Sequence, residues 1–307
     1  MTKDRSGATT TTATDSIPGW KGELDGVDHY AVRVPELDAA VDWYTTVFGL
    51  HPRTRNADRV YMASPVTGKI VIALTAADGP GLDYVSYRVR DRDRLEIVAS
   101  RLREVGIAYT SGIENSRPGA LEALRIDLPT GHSLELLLAE EVDGEDAELH
   151  AGALDVRTSH LQFRTPDPAA MAAWLEPVGF RTTAYDDNAE HPIRFIRTNE
   201  LHHQMAILGG EAGIHHVAVE LDTPDFWKFL DHLSRVRVRA EYGPGRHHEG
   251  NLLFVYVRDP FGNRTEITSE MQRVGDDYPP TFLAQEPWFH MNMWGPQPPM
   301  SWYTEWN

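Results

Sequence analysis

Three residues in the second half of the sequence, His160, His216 and Glu266, have the types needed for metal chemistry: two imidazoles and one carboxylate. Two nitrogens and one oxygen that leave open coordination positions form the facial set suited to a non-haem Fe(II) ion, which can then take an organic substrate and dioxygen side by side. Manganese fits the same set, because an N2O face selects poorly between the two metals. Of the 14 histidines, 10 lie at or after His160, so histidine chemistry belongs to the second half.

Ligands this far apart need strands to bring them together, and the elements around them repeat. His160, Pro166, Trp174 and Gly179 follow the offsets of His29, Pro35, Trp43 and Gly49, to within one residue at the glycine. Around the first set the pattern is strand-like through Tyr30, Val32 and Val34 and turns at Pro35. It then becomes helical with Ala39, Ala40, Trp43, Tyr44 and Val47, and Gly49 is the expected helix stop. Each half carries a second unit, opened by Gly81-Leu82-Asp83-Tyr84-Val85 or Gly213-Ile214-His215-His216-Val217. These units close in Pro129-Thr130-Gly131 and Pro260-Phe261-Gly262, each with a glutamate, Glu135 or Glu266, four residues after the glycine.

Four related modules, each a strand, a helix and further strands, predict two α+β domains. At the positions of His160, His216 and Glu266 the first half holds His29, Tyr84 and Glu135, so it has lost one ligand. The expected layout is a disordered tail over 1–22, a metal-free domain over 23–140, an acidic linker over 141–152, a catalytic metal-binding domain over 153–272, and an aromatic tail or lid over 273–307.

Composition narrows the function. With 29 basic and 46 acidic residues the net charge is −17, which disfavours nucleic-acid and anionic-membrane partners. Cysteine is absent, which excludes disulfides, thiolate nucleophiles and cysteine-ligated clusters. No apolar run approaches the roughly 20 residues of a membrane span, and the N-terminus lacks the order of a signal peptide, so a cytoplasmic protein is expected.

The stretch Gly245-Arg246-His247, followed by Val255-Tyr256-Val257-Arg258-Asp259-Pro260-Phe261-Gly262-Asn263-Arg264-Thr265-Glu266, resembles the signature of ring-cleaving extradiol dioxygenases of the vicinal oxygen chelate superfamily. The resemblance runs from about Gly26 to the C-terminus and implies two domains, each of two βαβββ modules, in a homo-oligomer with a tetramer favoured. It also implies a metal on His160, His216 and Glu266, with the first domain empty of metal. Strand alternation would send His215 and His216 to opposite faces, and the family pattern chooses His216.

Leu201-His202-His203-Gln204-Met205-Ala206 resembles the family's His-x-x-Ala segment, which implies His203 as the oxygen-side acid/base, with His202 as the competing register. His247 and Tyr256 match the residues that hydrogen-bond the catecholate and manage its proton. The implied reaction is extradiol cleavage of a catechol by dioxygen to a ring-opened semialdehyde.

The tail segments Met293-Trp294-Gly295 and Ser301-Trp302-Tyr303-Thr304-Glu305 resemble the lid of homoprotocatechuate and related catechol 2,3-dioxygenases. Members that accept a carboxylated catechol carry arginines where this chain has Tyr242, His290 and Met291, so the resemblance implies a neutral catechol here. The implied pocket residues are Tyr242, His290, Met291 and Trp294, with Trp288, Phe289 and Met293 as further apolar surfaces for a substituent. Two alternatives stay open within the superfamily: a glyoxalase-like metal-dependent isomerase or lyase, and a metal-free binding protein.

Overall fold

The structure, a computed structural model, describes residues 22–140, 153–187, 192–283 and 291–307. The expected N-terminal tail except Gly22, the whole expected linker, and Trp288, Phe289 and His290 lie outside the described residues.

The first module runs β1 (Leu24–Val34), α1 (Leu37–Phe48), β2 (His51–Arg55), β3 (Arg59–Ala63) and β4 (Ile70–Ala76). The second runs β5 (Gly81–Val89), α2 (Arg92–Glu104), β6 (Thr110–Ser111), β7 (Ala120–Asp127) and β8 (Ser133–Ala139). The third has β9 (Arg157–Thr165), α3 (Pro168–Leu175), a 3-10 turn over Glu176–Val178, β10 (Arg181–Asp186), β11 (Ile193–Arg197) and β12 (Met205–Gly209). The fourth has β13 (Gly213–Glu220), α4 (Thr223–Arg235), β14 (Tyr242–Arg246), β15 (Leu253–Arg258) and β16 (Arg264–Ser269). A short edge strand β17 (Thr281–Phe282) and helix α5 (Met300–Thr304) complete the described elements.

The strands form two sheets, ordered β2-β3-β4-β1-β5-β8-β7-β6 and β14-β15-β16-β13-β9-β12-β11-β10-β17. In each, the opening strands of paired modules run antiparallel (β1 with β5, β9 with β13), and each module's last strand returns parallel to its first. This is the two-domain α+β arrangement expected from the repeat, with the βαβββ modules that the resemblance implies. Helix α1 stops as its glycine requires: Gly49 sits at φ 69° and donates its N–H to the Thr45 carbonyl, closing the helix in the left-handed region that a Cβ disfavours.

Alternation along the strands sorts side chains by face. Leu161 and Phe163 of β9, Val217 and Val219 of β13, Val255 and Val257 of β15 and Ile267 of β16 enter the main apolar core. Residues between them, including His160, His216, Phe254, Tyr256 and Glu266, fall on the opposite face. That core is shared by both domains: Phe48 of α1 stacks on Phe229 of α4 at 5.7 Å, and Tyr87 of β5 meets Phe180 at 4.9 Å.

Polar links cross the same boundary. The fully buried Tyr30 hydroxyl lies 2.8 Å from the His160 carbonyl and 2.7 Å from the Ala218 carbonyl, and it accepts from the Ser159 N–H. The Tyr87 hydroxyl donates to the Gln204 carbonyl. Asn263, in the turn after β15, accepts from the Gly81 N–H and donates to the Arg33 carbonyl. Removing the Tyr30 hydroxyl leaves buried backbone groups short of a partner, a loss of about 1–3 kcal/mol. Tyr30→Phe is therefore expected to lower the urea midpoint without changing the slope of the transition, as checked by equilibrium denaturation.

Candidate metal centre

Three neighbouring strands build the site. His216 on β13 stands opposite Gln162 of β9, two residues from His160, and Ala218 of β13 stands opposite Glu266 of β16. Residues two apart on a strand share a face, so this register alone brings His160, His216 and Glu266 together. Their candidate ligand atoms lie within 4.8 Å of one another, and all three residues are buried.

Nε2 of His160 and of His216 lie 2.8 and 3.1 Å from Oε2 of Glu266, and 3.4 Å from each other. Neither Glu266 oxygen nonetheless has a well-formed hydrogen bond. Burial pushes the His216 imidazole down to about 4. Burial alone would raise the Glu266 carboxyl, but His160, His216 and His247 beside it hold it well below the ordinary carboxylate range. An ionised, buried carboxylate without a hydrogen-bond donor, facing imidazole nitrogens, is a donor set fitted to a divalent cation.

The first domain shows the same three positions without that opening. In identical register, Tyr84 of β5 stands opposite Ala31, two residues from His29, and Glu135 of β8 stands opposite Ser86. The Tyr84 hydroxyl lies 2.9 Å from His29 Nε2. Glu135 accepts from Ser86 and Ser116 and pairs with Arg125 at 2.8 Å, and the Arg125 guanidinium lies over the Tyr84 ring at 4.1 Å. A guanidinium here neutralises the carboxylate.

The other expected residues distribute around the second-domain group. The His203 ring is buried 4.6 Å from the His160 ring, whereas His202 lies behind it, with the two Nδ1 atoms 3.0 Å apart. His247 stacks on Phe254 at 3.8 Å, and its Nε2 is 3.3 Å from Glu266 and 3.0 Å from the Tyr256 hydroxyl. Its Nδ1 meets the Met291 carbonyl. A carbonyl can only accept, so Nδ1 donates to it, and Nε2 receives the Tyr256 O–H. Burial, and then the Glu266 charge, push the Tyr256 phenol well above its ordinary value, so it stays protonated.

Tyr242 is buried and stacks on Tyr256 at 5.6 Å, and Met291 packs against the cluster of Tyr242, Phe254, Tyr256 and Trp302. Trp294 is exposed and is tied to Arg246 through the backbone.

One expectation fails. His215 and His216 do not point to opposite faces, because their Nδ1 atoms are 2.7 Å apart. The pairing of β13 with β9 passes from Ile214–Phe163 to His216–Gln162, so His215 is the extra residue of a β-bulge and alternation is suspended there. Sequence reasoning thereby set His215 aside, and nothing in its local residue pattern marks the bulge.

The sequence profile of the Glyoxalase/Bleomycin resistance protein/Dioxygenase superfamily matches residues 26–150 and 157–267. Metapyrocatechase of Pseudomonas sp. (strain CF600) is 28% identical over 282 residues, covering 84% of this chain and 90% of that protein. The manganese-dependent 2,3-dihydroxybiphenyl 1,2-dioxygenase of Geobacillus genomosp. 3 is 24% identical over 269 residues, covering 80% of this chain and 85% of that protein. A variant of homoprotocatechuate 2,3-dioxygenase from Brevibacterium fuscum shares the fold, with a TM-score of 0.79 at 24% identity over 95% of this chain and 84% of that one. The profile spans both duplicated halves, and the chain belongs to the Glyoxalase/Bleomycin resistance protein/Dioxygenase superfamily.

Proposed function

We propose that the protein is an extradiol ring-cleaving dioxygenase that opens a neutral catechol beside its diol and incorporates dioxygen into a ring-opened semialdehyde. The observation that carries this reading is the buried, ionised Glu266 carboxylate, without a hydrogen-bond donor, facing Nε2 of His160 and His216. In this reading these three residues hold Fe(II) or Mn(II), and a bound ion supplies the meeting point and redox partner for catecholate and dioxygen. Curated relatives named as catechol- and dihydroxybiphenyl-cleaving enzymes support it.

The protein's own groups manage protons and orientation. Tyr256 and His247 form the substrate-side pair. The phenol donates toward the catecholate or toward His247, and Nε2 of His247 is the lone pair able to take the catechol proton, because Nδ1 is committed to the Met291 carbonyl. On the other side His203, kept neutral by burial and then by its histidine neighbours, serves as acid/base for the reacting oxygen. Rings and a thioether from Tyr242, Phe254, Trp302 and Met291 make a wall that carries no charged group to pair with a substrate carboxylate. Trp294 belongs to the pocket in this reading, at its exposed rim, and the sequence resemblance alone adds His290. The reading extends to a cytoplasmic homo-oligomer, a tetramer by resemblance. Among the described residues no helix is long and apolar enough to cross a membrane.

The deciding experiment is anaerobic reconstitution with Fe(II), followed by a catechol panel in aerated buffer with oxygen uptake and yellow ring-opened product recorded together. Stoichiometric uptake with colour is expected, and a metal-loaded protein that consumes no oxygen with any catechol would point to isomerase or lyase chemistry. Within the panel, catechol and alkylcatechols are expected to exceed a carboxylated catechol in kcat/KM by roughly tenfold or more, the scale of one unmet ionic contact. His216→Ala is expected to abolish metal retention and turnover while Tyr84→Phe leaves both intact, as measured by metal analysis and oxygen uptake. Equal damage from the two variants would overturn the assignment of metal to the second domain. His203→Phe is expected to keep its metal and lose at least about a hundredfold in turnover, the contribution of one general acid/base.

A further inference from the structure

His215 is buried in the bulge of β13, beside a candidate ligand, with both ring nitrogens engaged. Its Nε2 lies 2.7 Å from the Trp302 carbonyl oxygen, and its Nδ1 lies 2.7 Å from Nδ1 of His216. A carbonyl oxygen only accepts, so the His215 proton sits on Nε2. In that tautomer His215 presents a lone pair at Nδ1, and the His216 Nδ1–H donates to it. The free lone pair of His216 is then left on Nε2, the atom facing Glu266 and His160.

We propose that His215 is a positioning residue that sets the tautomer of His216 for metal binding, anchored by the main-chain carbonyl of Trp302. The proposal rests on the reading of His216 as a metal ligand. The anchor is held on the ligand-bearing strands themselves. Arg264 of β16 donates to the Glu305 and Ser301 carbonyls, Arg164 of β9 donates to the Tyr303 carbonyl, and Ile214 of β13 exchanges backbone hydrogen bonds with Asn307. Among the described residues the other candidate imidazole has no such director: His160 Nδ1 faces the Ser159 hydroxyl, which can donate or accept. The duplicated half supplies a comparison. Its equivalent bulge, between Ala31–Tyr84 and Val32–Leu82, holds Asp83 where this one holds His215, and Asp83 pairs with Arg59. The half without the second histidine also lacks the relay.

The test is Mn(II) affinity of the metal-free full chain, read by electron paramagnetic resonance titration. His215→Phe keeps a ring and removes both nitrogens, whereas His215→Gln keeps an amide that donates to the Trp302 carbonyl and accepts from His216. Mn(II) binding is expected to weaken 10–100-fold in His215→Phe, the range for losing an outer-shell partner, and to return to within a few-fold of wild type in His215→Gln. Metal-free melting temperatures of the folded variants separate this from loss of packing. Unchanged Mn(II) affinity in His215→Phe, or equal weakening in both variants, overturns the proposal. Glu266→Gln is the control for the underlying reading: if it too leaves Mn(II) affinity intact, the ligand assignment falls and not the relay alone. If His215→Phe does not fold, nitrogen NMR of the Zn(II)-loaded wild type decides. The expected state is His216 protonated at Nδ1 and metal-bound at Nε2, and the reverse tautomer overturns the proposal.

Discussion

A buried carboxylate governs this structure. Taking a carboxylate out of water costs several kcal/mol even after the surroundings relax, and only a close positive charge with well-directed donors offsets it. The fold faces the problem twice, at Glu135 and Glu266, both wholly buried at the same register of duplicated sheets. In the first domain two hydroxyls and the Arg125 guanidinium resolve it. In the second, both oxygens are without a hydrogen-bond donor and imidazole nitrogens stand in front of them. The order β16-β13-β9, the bulge at His215 and the aromatic wall of Tyr242, Tyr256 and Trp302 all surround that buried charge.

The domain with the satisfied carboxylate acts as a scaffold for the other. Tyr30 and Tyr87, on the two central strands of the first sheet, reach across the common core to backbone groups at His160, Ala218 and Gln204. Gln204 directly follows His203, and Ala218 lies two residues beyond His216 on the same strand face. Close packing lets such contacts fix the positions of His160, His203 and His216, since interiors resist continuous deformation. Asn263 adds a third tie from the turn that precedes Glu266.

Much of this was legible from residue offsets, for a physical reason. Duplicated modules keep strand register, and register decides which side chains share a face, so equal spacing of His29 and His160, or of Glu135 and Glu266, translates directly into equivalent places in space. That Tyr84 stands where the second half has His216 was visible by the same comparison. The direction of His215 was not, because a bulge is a property of strand pairing rather than of one strand's alternation. The Tyr30 and Tyr87 links were equally hidden: a tyrosine on a core strand reads as packing until the carbonyls opposite it are known. The choice of His203 over His202 came from family resemblance, and it is the packing of β12 beside β9 that sets His203 against His160.

The guanidinium over Tyr84 bears on how these two halves could diverge further. Arg125 is part of the chain, so the first sheet carries its counter-charge from synthesis, whereas any ion in the second must be captured from solution. Restoring a histidine at position 84 would meet a carboxylate already neutralised and a space already filled by the arginine. Recovering an open site there takes at least two coordinated substitutions, with the first leaving a buried charge unbalanced or two cationic groups competing. The asymmetry between the halves is thus held in place by a barrier in sequence space.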